Sequence, residues 1–422
     1  MKLQVDNKIN LIDGKIDADS IFRQKIYEEN NDQDDQALYI CNLTDVMRKY
    51  DIWREKMPRV KPFYAVKCND DDNVVRVLAK LGTGFDCASK AEINKVLQYG
   101  VTSDRIIFAN PCKPRSHIRH AAETNVSLMT FDSKIELEKI HRIFPEARLV
   151  LRIRYDAKKA VAPLGEKFGC DPKKEAPLLL MNAKNLGLDV VGISFHVGSC
   201  CLDPHIYREA IYAARELFNF AQTLNYRMTL LDIGGGFPGE TGTDIGVFAN
   251  VVNCALNDFF PVTPDDEDHI EIIAEPGRFF VSSAFTLGVT VHSKTEILET
   301  DGNISHVKYY VNDGVFGSFN AIISYHEVFE PYILPRYSAD DSDAEPETSA
   351  VISSIWGPSC DGCDKICDKL TLPPIDIGDV FVFTNMGSYT LPLATTFNGF
   401  PIPRVLYFAE KDSWRDLEHP MI

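Results

Sequence analysis

The chain has 422 residues, 45% hydrophobic and 25% charged, which is the balance of an ordinary soluble globular protein and too long for one small core, so two domains are expected. Its formal net charge of −17, with no lysine- or arginine-rich cluster, argues against nucleic acid and anionic membrane surfaces as partners and favours a cationic small molecule. Eleven cysteines in no framework spacing, an N-terminus without a signal peptide's apolar core, and no run approaching the ~18 apolar residues of a membrane span indicate reduced thiols in a cytoplasmic protein.

Residues 1–38 read as a short extended start and a helix near 19–29, with Ile21, Phe22 and Ile26 at helical spacing, followed by an acidic, amide-rich stretch over 28–35. This segment is expected to join the second domain. From 39 to 279, eight apolar, β-branched runs occur at 62–66, 84–87, 105–109, 126–130, 148–154, 190–197, 228–233 and 270–274. Helical patterns lie between most of them. Asp72 can cap a helix carrying Val74, Val75, Leu78 and Leu81 that Gly82 ends, and Ser89-x-x-Glu92 and Ser133-x-x-Glu136 have the capping-box form. Strands alternating with helices imply a parallel sheet, and eight such units imply an α/β fold closed as a (β/α)8 TIM-like barrel.

The C-terminal ends of barrel strands hold the chemistry. In order these ends carry Lys67, Asp86, Asn110, Asp132, Arg152 or Arg154, His196, Asp232 with a glycine run, and Glu275. That is a mixed-charge rim around a lysine. After Gly277 the helical alternation stops, and runs at 285–291, 307–311, 351–356, 380–384 and 405–408 read as the strands of a second, mostly antiparallel β domain over 280–422. The acidic, apolar-poor stretch 338–348 is expected to be a mobile surface loop.

Lys67 ends the run Pro62-Phe63-Tyr64-Ala65-Val66. Apolar neighbours would partly desolvate it, lowering the amine pKa and sharpening it as a nucleophile toward an aldehyde; a strand-end lysine reaching to solvent fits the same stretch. Gly234-Gly235-Gly236-Phe237-Pro238-Gly239 follows a strand, so its amides can face an anion, and the lack of a Gly-Lys-Ser/Thr ending points to a phosphate smaller than a nucleotide's. A tight turn explains two of these glycines more readily than four. Glu275-Pro276-Gly277-Arg278 adds a carboxylate and a guanidinium suited to a phosphate, or else forms a salt-bridged turn. His196, beside Ser199, is a core histidine or a residue that stacks on a flat cofactor ring. In the 356–367 segment three thiols and no histidine fall short of a closed zinc site, so no metal is expected. The alternative is an exposed turn presenting Cys360 as a proton donor and Asp361 as a carboxylate.

Together these motifs, with Gly84-Phe85-Asp86-Cys87-Ala88-Ser89, Asn312-Asp313-Gly314-Val315-Phe316-Gly317-Ser318-Phe319-Asn320 and Trp356 to Gly362, run in order over nearly the whole chain. The chain resembles the ornithine decarboxylases, in the alanine-racemase-like class of pyridoxal-phosphate enzymes. The resemblance implies that Lys67 holds the cofactor covalently, Glu275 pairs with its ring nitrogen, His196 stacks on the ring, and Ser199, Gly235, Gly236, Gly277, Arg278 and Tyr389 bind it, mostly through the phosphate. It implies an Asp86–Arg152 ion pair near Lys67, with Glu92 explained by its capping box. Cys360 would return a proton to the substrate, and Asp361 would bind its distal ammonium, both from the neighbouring subunit of a homodimer.

One position departs from the family. Where it carries a second aspartate for that ammonium, this chain has Tyr325, with Glu327 two residues on. A neutral phenol binds an ammonium less strongly than a carboxylate does. The expected activity is ornithine decarboxylation to putrescine, the entry to polyamines, with lysine or arginine as alternative substrates. A non-catalytic antizyme-binding relative is the competing class. Ending at Ile422, the chain is expected to lack the degradation tail of the vertebrate enzymes.

Overall fold

The computed structural model describes residues 9–28, 36–155, 160–162, 165–262, 270–334 and 350–418. The stretch 338–348, the chain start and most of 28–35 lie outside them. The chain divides into two compact units, Val46–Val281 and Met1–Asp45 with Ser282–Ile422.

In Val46–Val281 the strands Val60–Ala65, Gly84–Cys87, Ile106–Phe108, Leu128–Phe131, Arg148–Arg154, Asp189–His196, Leu230–Asp232 and Glu271–Ala274 close into a parallel barrel. Each falls on one of the eight apolar runs. Because successive side chains on a strand point to opposite faces, one residue in two from every strand enters the barrel. Phe63, Ile107, Leu128, Val150, Val191, Leu230 and Ile273 form an apolar layer there. Gly84 is required beside it, since a methyl group at that position would stand 2.5 Å from the Phe63 ring. Two residues further along the same faces come Ala65, Asp86, Thr130, Arg152, Asp232 and Glu275. The strand period thus turns an apolar plug into a charged rim within one step.

Local signals set the helices. Ser89 and Ser133 cap Lys90–Gln98 and Lys134–Ile143 by accepting from Glu92 N and Glu136 N, each at 3.3 Å. The Asp72–Leu81 helix is capped by Asp71, whose Oδ1 accepts from Asn73 N at 2.9 Å and Val74 N at 3.1 Å, and not by Asp72, which is already helical. Gly82 ends it at φ 90°.

In the other unit, Phe285–Leu298 is the hub of a mixed, mainly antiparallel sheet, pairing antiparallel with Leu38–Asn42, Ile304–Val311 and Val380–Phe383. Parallel pairings join Ile304–Val311 to Val351–Trp356, Leu38–Asn42 to Arg404–Glu410, and Arg404–Glu410 to Ile9–Ile12. Phe22, Leu38, Ile40, Leu334, Val380, Val382 and Phe408 form a core cluster there. Leu38–Asn42 lies in this sheet, so the units part at Asp45/Val46, beyond the 38/39 boundary read from the sequence. The edge strand Lys365–Leu372 was not expected, because its lysines and aspartate hide the apolar alternation; charges suit an edge that must not pair further.

Candidate active site

Lys67 follows the Val60–Ala65 strand in a short helical turn, Val66–Cys68, that lifts its side chain onto the rim. Its strand is strapped to the 275–278 turn. Ala65 N donates to Pro276 O at 3.2 Å, and a side chain on Gly277 would come within 2.7 Å of Cys68 Cβ. The side chain of Lys67 is 40% exposed although Val66 and Cys68 on either side of it are buried, so its desolvation is only partial. Its Nζ forms an ion pair with Oδ2 of Asp86, a carboxylate that is 1% exposed. The expected Asp86–Arg152 pair does not form among the described residues. Arg152 instead lies over the Phe168 ring, its Cζ 5.3 Å from the centroid.

Three acids converge behind Lys67. Asp232 is fully buried, Oδ1 accepting from Gly234 N at 2.9 Å, and Glu275 is 6% exposed. Burial, and then the charges of Asp232 and Asp86, raise the Glu275 carboxyl well above its usual value, while burial raises Asp232. Two carboxylates this close and this dry hold a proton between them unless a cation faces them. Lys67 and Arg152 both pull Glu275 the other way. Glu92 borders the same group. Its carboxylate accepts from Ala88 N at 2.6 Å, and burial raises it to about 7. It is therefore more than a capping residue.

His196 ends the Asp189–His196 strand, its Nδ1 accepting from Gly198 N at 3.0 Å. Burial, followed by the charges of Arg152 and Lys67, holds the imidazole well below its usual pKa, so it is neutral. The glycine run packs tightly against protein on one side. A side chain on Gly235 would come 2.7 Å from Glu275 O and 2.8 Å from His196 Nε2, and one on Gly236, at φ 108°, 2.7 Å from Gly198 O. These glycines are thus needed for packing, whatever they bind. On the other side, the N–H groups of Gly235, Gly236 and Gly277 meet no protein acceptor among the described residues. Arg278, 7% exposed, completes the set, with Nε donating to Ser199 Oγ at 3.1 Å and Nη1 3.6 Å from Glu240. Buried amide donors lacking an acceptor are costly. A guanidinium among them makes the donor set one for an anion.

The match to known proteins decides what this rim serves. Residues 43–282 match the family described as pyridoxal-dependent decarboxylase, pyridoxal binding domain. The chain is 44% identical over 416 residues to the ornithine decarboxylase of Mus musculus, covering 96% of this chain and 88% of that one. The chain belongs to the pyridoxal-dependent decarboxylases. A decarboxylase it also resembles is the arginine decarboxylase of Paramecium bursaria Chlorella virus, with TM-score 0.84 and 35% identity over 92% of this chain and 100% of that one. It is likewise 44% identical over 421 residues to antizyme inhibitor 2 of Xenopus laevis, covering 98% of this chain and 90% of that one. The cofactor of the decarboxylase family is pyridoxal phosphate, and the rim fits it. An accessible lysine suits an aldehyde, buried acids a ring nitrogen, and the Gly235, Gly236, Gly277 and Arg278 donors a phosphate.

The remaining candidates of this decarboxylase, Tyr325, Glu327, Cys360, Asp361 and Tyr389, lie in the β unit. Tyr325, the last residue of Ala321–Tyr325, meets Tyr389 edge to face with ring centroids 6.0 Å apart, and Tyr389 has φ 54°. Glu327, partly buried just past this helix, donates its amide to Ala321 O at 3.2 Å. Cys360 and Asp361 are exposed on the loop between Val351–Trp356 and Lys365–Leu372. Buried Asp364 anchors that loop, accepting from Val315 N at 2.8 Å and Ser359 N at 2.9 Å. Cys360 N donates to Asn398 Oδ1 at 3.0 Å, and the side chain and amide of Cys363 hold the Asp361 carboxyl below its usual range. Glu240 was missed in the sequence, where nothing marks it beyond its place after the glycine run. Ser194, whose buried Oγ lacks a partner among the described residues, was missed because it reads as one residue of an apolar strand. Among the described residues no group of three or more metal-ligating side chains is assembled, and no helix is long and apolar enough to cross a membrane.

Proposed function

We propose that this protein decarboxylates L-ornithine to putrescine with pyridoxal phosphate, the first committed supply of polyamine precursor, in the cytoplasm. The observation that carries the reading is the Lys67–Asp86 pair at the mouth of a barrel whose same rim holds buried Asp232 and Glu275. When bound, pyridoxal phosphate supplies an electron sink for the pair of electrons left as carbon dioxide departs. Lys67 would hold the cofactor through its aldehyde carbon. Asp86, paired with Lys67, keeps that side chain oriented. Glu275, supported by Asp232, would keep the ring nitrogen protonated, and neutral His196 would stack on the ring without adding charge. Ser199, Gly235, Gly236, Gly277, Arg278 and Tyr389 hold the phosphate. Arg152 balances the acidic rim.

In the same reading Cys360 returns the proton to the substrate α-carbon, while Asp361 and Tyr325 receive its distal ammonium. Cys360 and Asp361 come from the partner subunit of a homodimer, consistent with their place on an exposed loop. Net charge −17 suits a dibasic substrate.

A second reading, a non-catalytic partner of antizyme, is favoured by the likeness to antizyme inhibitor 2. A pure binding protein has no use for Lys67, Glu275, Arg278 and Cys360 together. The two part on carbon dioxide release by purified protein supplied with pyridoxal phosphate and, in parallel, ornithine, lysine and arginine. Release mainly from ornithine supports the proposal; release mainly from another amino acid overturns the substrate, and release from none overturns the enzyme.

A further inference from the structure

Cys363 has no part in the chemistry proposed above, yet it stands with Cys360 in Cys360-Asp361-Gly362-Cys363, where no other pair of cysteines in the chain has two residues between them. Both thiols are free and exposed. The loop that carries them is closed at its base, Gly357 N donating to Asp364 O at 2.8 Å, and turns back on itself where Asp364 N donates to Asp361 O at 3.2 Å. A disulfide needs Cα atoms roughly 4.4–6.8 Å apart, a span that two residues of separation inside a closed turn can reach. Gly362, between the cysteines, has nothing within 4 Å of where a Cβ would stand, so the turn can rotate without a clash. The third nearby thiol, Cys367, is buried, its Sγ donating to Phe329 O at 3.2 Å, and does not compete.

We infer that Cys360 and Cys363 form a redox-active dithiol that closes into an intraloop disulfide by exchange with a small-molecule disulfide, reversibly withdrawing the Cys360 thiol. The regulatory half of this rests on the role proposed for Cys360. The order of attack follows from Asp361, whose carboxylate accepts from the Cys363 thiol and keeps it protonated. Cys360 therefore meets the external disulfide first. Its thiolate attacks one sulfur, forming a mixed disulfide and expelling one small thiol, which takes up a proton. Cys363 then releases its proton to solvent and attacks the Cys360 sulfur, expelling the second small thiol. Two protein thiols are oxidised and one small disulfide is reduced to two thiols.

The test treats the protein loaded with pyridoxal phosphate with oxidised glutathione, followed by unreduced peptide mapping and carbon dioxide release on the same samples. The expected peptide holding both cysteines is lighter by two hydrogens, and carbon dioxide release falls by roughly 100-fold, the scale of a lost general acid. Dithiothreitol restores both. Cys363→Ser keeps its untreated activity and gives glutathione attached to Cys360 in place of the internal link. No link in the treated wild-type protein overturns the dithiol. A link formed with undiminished release overturns the switch and faults the Cys360 role alone. Because the map is read independently of turnover, a protein that decarboxylates nothing before treatment fails the proposed function without deciding the dithiol.

Discussion

Lys67 Nζ pairs with Oδ2 of Asp86, and the two differ sharply in their surroundings: the lysine side chain is 40% exposed, the aspartate side chain 1%. A buried carboxylate facing an open amine fixes where that amine points while leaving it free to react. Asp86→Asn keeps the shape and removes the charge. A hydrogen bond to a charged group contributes about 1.5–3 kcal/mol, so kcat/KM for ornithine is expected to fall by about 10- to 100-fold. Steady-state kinetics at saturating pyridoxal phosphate check this, and unchanged kcat/KM would remove Asp86 from the machinery.

Glu92 links the site to stability. Burial raises its carboxyl from the usual 4.5 to about 7, so the folded protein binds that proton more tightly than the unfolded chain does. Stability is therefore lost as pH rises from about 4.5 to about 7, and stays lost above. Glu92→Gln can still accept from Ala88 N and carries no charge to bury. It is expected to be more stable than wild type by about 3 kcal/mol at pH 8, with the gain vanishing toward pH 4.5. Urea denaturation at the two pH values measures this; an equal gain at both would mean the carboxyl is not the cause.

Barrel strands packed on both faces read as unbroken apolar runs, which is why all eight were visible in the sequence, along with the period-two step from Ile273 to Glu275. Contacts made across the sequence were not visible. Leu38–Asn42 was not read as a strand and falls almost wholly within the 39–279 barrel bounds, its place being set by its pairing with Phe285–Leu298, and the apolar neighbours of Lys67 turn inward while the lysine does not. The choice of Lys67 over Arg152 as partner of Asp86 depends on side-chain reach across strands, which spacing along the chain does not encode. The glycine run was legible as a feature, but half of its cause, close packing on Glu275 O and Gly198 O, is tertiary.

Ser133-x-x-Glu136 illustrates the same limit. Ser133 caps its helix as expected, but the Glu136 carboxylate goes to Lys113, Oε1 standing 3.0 Å from Nζ with both side chains almost fully buried. Lys113 also donates to Thr130 O at 2.5 Å, tying the loop after Ile106–Phe108 to the next strand. Burial lowers this lysine to about 8 despite its partner. Glu136→Gln would leave the cation nearly unpaired, and removing one member of a buried pair costs about 3–5 kcal/mol. A lysine with a lowered pKa takes up its proton less readily in the folded state, so the loss is greatest at neutral pH and shrinks as pH rises through 8. Thermal unfolding at pH 7 and pH 9 checks both the size and the direction.

Tyr325 bears on substrate choice. It ends the Ala321–Tyr325 helix, beside His326 in the left-handed region at φ 55°, so the position is held by local backbone geometry and tolerates exchange of its side chain. If the phenol receives the distal ammonium of ornithine, Tyr325→Asp replaces a neutral acceptor with a charged one. Charged hydrogen bonds contribute about 1.5–3 kcal/mol, against about 1 for neutral ones. KM for ornithine is then expected to fall by about two- to thirtyfold with kcat little changed, the signature of added binding that is equal in ground and transition states. Arginine, whose guanidinium sits further from the α-carbon, should gain less from a carboxylate at a fixed position. Parallel kinetics on both amino acids decide the matter: an equal gain for the two would place Tyr325 outside the distal pocket and leave Asp361 as the acceptor that sets specificity.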